Sequence, residues 1–241
     1  MISRRLGPDA VAHAGLFNMS SIKYQIRGSD YVGAFAAVND THCFLVRDAT
    51  EAAKRVISEA LEVDIVPVSV GGSGFVGILS RANSNGVLLA NIATDDELAA
   101  FRSRSGSINV GVLESSLNAI GNNILANDKI AIVNPDYSRD DMKNIEDVLG
   151  VEVVREALGG FKTVGAGNLL TNKGLVVNNR STDEEKEAAE KVTGFESVRT
   201  TANTGSLSIG VSALVNSKGM VVGNSTTGYE LTRIMEALEI N

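Results

Sequence analysis

The chain has 241 residues, 44% hydrophobic and 21% charged, with a formal net charge of −7 at pH 7. That composition suits an ordinary globular body, and the acidic balance excludes general electrostatic attachment to nucleic acid, which needs clustered Lys and Arg. No apolar run reaches about 18 residues, so no membrane span is expected. The single cysteine, Cys43, cannot form an internal disulfide, and a reducing cytoplasm is the simplest compartment.

Residues 1–18 carry Arg4, Arg5 and His13, little acid and no period. The apolar stretch is too short and broken for a secretory signal, so this segment reads as a disordered leader or an upstream start, with Met19 as the true start. From residue 20 onward a marker dipeptide sets a beat. A branched apolar residue followed by glycine occurs as Val32-Gly33, Val76-Gly77, Ile120-Gly121, Val164-Gly165 and Ile209-Gly210, at intervals of 44, 44, 44 and 45 residues. Six residues after the glycine stands an asparagine: Asn39, Asn83, Asn127 and Asn216, with Asn172 displaced by one. Ile22, Val66, Val110, Val154 and Val198 keep the same interval. Three coincident registers mark a repeat architecture.

Within each repeat the elements follow in a fixed order. A β-prone run comes first, at 22–26, 65–70, 108–112, 151–154 and 197–201. A Gly- or Ser-rich turn follows, and the marker then leads a second strand, as in 31–38 and 163–170. An Asn/Lys/Gly turn reverses the chain, as tight hairpins require, into a third apolar run at 43–46, 87–90, 130–133, 175–177 and 220–222. A helix closes the unit, its start signalled by Thr94 with Glu97 and Thr227 with Glu230, which fit the capping box. Ser138 with Asp141 and Thr182 with Glu185 are close versions, and Thr50-Glu51 opens the first helix. Met142, Ile145, Val148 and Leu149 form an apolar stripe at helical spacing.

The fold class is therefore α/β, built from five pseudosymmetric strand-strand-strand-helix repeats at about 20–63, 64–107, 108–151, 152–195 and 196–241. No linker divides residues 19–241, which read as a single domain. An open solenoid needs polar end caps, yet the first unit keeps Val32, Phe35 and Val38 and the last keeps its stripe to Ile240. Closure into a ring, strands inside and helices outside, is the expectation.

The residues offer no catalytic constellation. His42 and Cys43 are adjacent on a strand, point to opposite faces, and read as a turn histidine and a buried, inert cysteine. Two histidines and one cysteine fall short of standard zinc spacing. Asp95, Asp96, Glu97, Asp183, Glu184 and Glu185 sit at helix starts, where capping and the macrodipole explain them. The glycines at 71–77 and 159–167 lack the Gly-Lys-Ser/Thr ending of a phosphate loop. No cofactor, metal or catalytic residue is expected, and the turn asparagines on one rim remain a candidate recognition surface.

GGSGFVG at 71–77, SLNAIGNNILAN at 116–127 with Asn134-Pro135-Asp136, and TTGYELTRIMEAL at 226–238 resemble the translation initiation factor 6 family, ribosome anti-association factors, in its archaeal form. The resemblance runs from residue 20 to the last residue and implies a five-bladed pentein fold. It also implies binding to the large ribosomal subunit, beside the sarcin–ricin loop and mostly through ribosomal proteins, which blocks joining of the small subunit without chemistry or cofactor. Gly33, Gly77, Gly121 and Asn122 occupy the positions that affect subunit binding in that family. Two departures from the eukaryotic members stand out: the chain stops just after its last helix, and Gly111-Val112 replaces a basic pair. Two alternative readings are a guanidine-modifying pentein enzyme and a generic ring-shaped interaction module.

Overall fold

The computed structural model describes residues 20–104 and 106–240; the leader read at 1–18 lies outside them. Among the described residues fifteen strands form five separate three-stranded sheets, with no closed sheet. One sheet contains β2 (Ala36–Val38), β3 (His42–Val46) and β4 (Asp64–Val68). The next has β5 (Ser80–Ala82), β6 (Gly86–Ala90) and β7 (Asn109–Leu113). The third has β8 (Ile124–Ala126), β9 (Ile130–Val133) and β10 (Glu152–Arg155). The fourth has β11 (Leu169–Leu170), β12 (Leu175–Asn178) and β13 (Ser197–Thr200). The last joins β14 (Ala213–Val215) and β15 (Met220–Gly223) to the first strand of the chain, β1 (Ser21–Tyr24).

The sheets are out of phase with the sequence repeats. In every sheet the middle strand is antiparallel to the strand before it and parallel to the strand that opens the next repeat. A helix makes each parallel crossover, as a parallel connection requires: α1 (Glu51–Leu61), α2 (Asp95–Arg104), α3 (Arg139–Leu149) and α4 (Asp183–Thr193). α5 (Gly228–Leu238) ends the chain and packs on β12 and β13. The strand-strand-strand-helix order read from sequence is thus kept, while each sheet takes its third strand from another repeat, because parallel pairing needs the intervening helix.

The middle strands read as continuous apolar runs because both faces are covered. Phe44, Leu45, Leu88, Leu89, Ala131, Val176 and Val221 are at most 1% exposed. A second difference concerns the marker, which does not lead directly into a strand. It makes a single helical turn, at Val32–Ala34, Val76–Leu79, Ile120–Asn123, Val164–Gly167 and Ile209–Ser212. The strand begins only after that turn.

The helix starts form as expected. Ser138, Thr182 and Thr227 each accept from the third helical amide, whose side chain returns the bond to the cap amide. Thr94 and Glu97 make the same reciprocal pair at 3.0 and 3.3 Å. Thr50 caps α1 alone, because Ala53 stands where the carboxylate would be.

First and last units touch directly. β1 pairs with β15 from Ser21–Met220 to Tyr24–Gly223, α1 packs against both, and Asn216 Nδ2 donates to Leu61 O at 2.8 Å.

Candidate functional site

The two ends of the unit are held by opposite means. At one end the repeat asparagines make the turns. Asn83 Oδ1 accepts from Asn85 N at 3.0 Å and Gly86 N at 2.9 Å, and Asn39, Asn127 and Asn216 do the same two and three residues on. Their amides then reach the neighbouring unit: Asn39 Nδ2 to Asn83 O, Asn83 to Asn127 O, Asn127 to Thr171 O, and Asn216 to Asn39 O, at 2.8 to 3.2 Å. Thr171 makes its turn through Oγ1 but has no amide to pass on. The displaced Asn172 instead donates to Asp128 at 2.7 Å and Asp40 at 3.0 Å. The asparagines are turn residues, and all four are buried, so the recognition surface considered for them is not formed by their side chains.

At the other end the marker glycines meet backbone to backbone, with one side chain, Arg81, reaching in beside Gly165. A Cβ on Gly77 would strike Gly33 O, on Gly121 it would strike Gly77 O, and on Gly165 it would strike Gly121 O. Gly210 meets Gly165 O in the same way, and Gly33 meets Gly210 O. This accounts for glycine at the marker without positive φ: the backbones approach too closely for any side chain. Of the four residues assigned to a site from sequence, the structure brings together Gly33, Gly77 and Gly121. Asn122 follows in the same turn, its amide N–H bonded to Ala119 O at 3.0 Å and its Oδ1 buried without a partner.

The loops leading into these turns are tied to the helix starts. Gly71 and Gly72, at φ of +59° and +71°, give their amides to Glu97 at 2.7 and 2.9 Å. Glu185 holds Gly159 and Gly160, and Glu230 holds Thr204 and Gly205. Burial alone would raise the Glu97 carboxyl; bonds from Thr94, Gly72, Ser69 and Gly71 outweigh it and hold it at about 2. These acids are structural, as the capping argument anticipated.

What breaks the repeat at this end is aromatic. The residue before the marker is Tyr31 in the first unit and Phe75 in the second, 45% and 49% exposed; the later units place Ala119, Thr163 and Ser208 there. Phe75 stacks on Phe35 with centroids 5.6 Å apart, and the Arg27 guanidinium lies 5.9 Å over Phe35 while pairing with Asp48. Exposed aromatics held by a rigid scaffold are how partner surfaces are built. Reading the repeats without stacking them in register conceals this pair; alignment of the markers would have exposed it.

Cys43 is fully buried, which pushes its thiol up to about 12. His42 opens β3 instead of sitting in the turn, its Nδ1 2.8 Å from Thr41 Oγ1. Among the described residues no cluster of His, Cys, Asp and Glu could hold a metal ion, and no helix is long and apolar enough to cross a membrane.

Relatives were found at good coverage. Translation initiation factor 6 of Methanosarcina mazei is 38% identical over 88% of this chain and 95% of its own. That of Thermoplasma acidophilum is 36% identical over 90% and 98%. A crystal structure of dimethylarginine dimethylaminohydrolase is similar at a TM-score of 0.44 and 10% identity, over 70% of this chain and 68% of that one, which is too distant to carry an argument. The family model described as the eIF-6 family matches residues 21–237, and the chain belongs to that family.

Proposed function

We propose that this protein is a translation initiation factor that binds the large ribosomal subunit and, by occupying its intersubunit face, prevents association with the small one. The observation that carries this reading is the match to relatives named translation initiation factor 6 along nearly the whole chain. The geometry agrees with occlusion. The described residues act as one body, five units closed into a ring: the contacts from Gly210 to Gly33 and from Asn216 to Asn39 repeat those between successive units. The reading places the protein in the cytoplasm, where subunits join.

The partner surface is ribosomal protein near the sarcin–ricin loop, with little contact to RNA, which suits an acidic chain. Tyr31 and Phe75 are its anchors. Gly33 and Gly77 lie in the turns that present them, Gly121 packs on Gly77 O, and Asn122 follows in the third turn, so these four act through position.

Co-sedimentation with purified large and small subunits tests the proposal. The protein pellets with large subunits only and inhibits their joining; equal affinity for both subunits, or for neither, overturns it. In folded Asn122→Ser protein the affinity for the large subunit falls about tenfold, and an unchanged affinity removes that residue from the surface.

A further inference from the structure

Each sheet has two edge strands. β2, β5, β8, β11 and β14 line the space between the units, and β4, β7, β10, β13 and β1 form the other edges. An edge presents unpaired N–H and C=O groups, and it invites another strand unless something blunts it. The register tells which groups these are. Asp64 N, Asn109 N and Glu152 N each donate inward, to Thr41 O, Asn85 O and Lys129 O. Successive residues alternate along a strand, so Ile65 and Pro67, Val110 and Val112, and Val153 and Arg155 turn their backbone groups outward.

Four of these edges are blunted, each in its own way. In β4, Pro67 has no N–H, and its O accepts from Arg104 Nη1 at 3.0 Å. β1 sets the exposed Lys23 at the register of Pro67, and β10 ends on the exposed Arg155. In β13, Ser197 N is taken by Glu190 Oε1 at 2.6 Å. β7 reads Asn-Val-Gly-Val-Leu, with no charge and no proline. Among the described residues no side chain bonds the backbone of Val110 or Val112. α2 and α3 pack against β7, yet Val110, Gly111 and Val112 all stay partly exposed.

We propose that the β7 edge receives an extended, cationic segment of a large-subunit protein as an added strand. The inference rests on the subunit binding proposed above. Val110 and Val112 each offer one outward donor and one outward acceptor, so the main chain of the segment supplies affinity and its side chains supply specificity. The charge of the segment follows from the surroundings. β7 is neutral, while carboxylates outnumber cations on α2, three to two, and on α3, four to two, and Glu114 adds another. The same imbalance, in a chain of net charge −7, disfavours a second copy on this edge. β7 also leads through Glu114 into the turn of the third marker, which joins the edge to the partner surface at the glycine end.

Co-sedimentation with large subunits tests the edge, using substitutions that equivalent strands already accommodate. Val112→Pro copies Pro67 of β4, and Val112→Lys copies Lys23 of β1. Both lose about tenfold in affinity at an unchanged melting midpoint. Val112→Glu loses less than Val112→Lys, and the opposite order overturns the cationic partner. Equal binding by wild type, Val112→Pro and Val112→Lys overturns the site and leaves the proposed function standing; wild-type protein that ignores large subunits removes both. A dimer of the free protein that Val112→Pro dissolves assigns the edge to a second copy and likewise overturns the proposal. Should the variants not fold, hydrogen exchange of the wild type decides: residues 109–113 slow on large subunits, and unchanged exchange there rejects the added strand.

Discussion

The asparagine end and the glycine end of this molecule are joined across the same unit boundaries, yet one is assembled by adding side-chain groups and the other by removing them. Hydrogen bonds at the asparagine end are directional but replaceable. Thr171 takes an asparagine's place in the turn, and the missing cross-unit bond is absorbed by Asn172. Steric contact at the glycine end allows no substitute, since backbone carbonyls occupy the space of every Cβ. The tolerant end is free to vary; the intolerant end holds position, and the exposed aromatics are mounted there.

The largest expected effect tests that asymmetry directly. Gly77→Val forces a side chain into Gly33 O and Ala36 O, and is expected to cost more than about 4 kcal/mol, at the extreme of single substitutions. Denaturant unfolding measures it; a loss under 1 kcal/mol would mean that the turns separate easily. Asn83→Ala ranks next. It strips Oδ1 from two turn amides and Nδ2 from Asn127 O and Leu149 O, all in buried surroundings, for about 2–4 kcal/mol.

Glu97 tethers the loop at the glycine end, and its effect depends on pH. Its folded pKa, about 2, lies below the ordinary 4.5. Its contribution is therefore complete above about pH 5 and disappears as pH falls toward 2, because protonation is easier in the unfolded chain; the full amount is on the order of 3 kcal/mol. Glu97→Gln should lower stability at pH 7 and flatten the acid limb of the stability profile. Parallel profiles for the two proteins would refute the tether. The smallest effect is a gain. Thr171→Asn supplies the amide that can reach Asn216 O and complete the series, worth about 0.5–1 kcal/mol, and a loss there would show that Thr171 is fitted to its own neighbours.

Much of this was legible in the chain. The interval of the markers carries the number of units, and the Thr/Ser-to-acid pairs carry the helix starts, because both are local signals repeated in one register. The turn role of the asparagines was equally plain. Their bonds across units were not, since a cross-unit carbonyl leaves no mark in sequence. Arg81 and the pair Tyr31 and Phe75 were visible only as departures from symmetry, and such departures acquire meaning once the repeats are superposed.

By itself, then, the sequence determined a five-unit α/β repeat with capped helices and a buried cysteine, since composition, period and capping are written along the chain itself. Tertiary structure decided which strands pair. β1 completes the last sheet, and each later repeat gives its first strand to the sheet before it. It also decided that the marker is a helical turn pressed on its neighbour and that Arg81 reaches from the second unit to Gly121 O of the third. Those outcomes rest on contacts between residues 22 or more positions apart, where packing and desolvation govern and local propensity has no say.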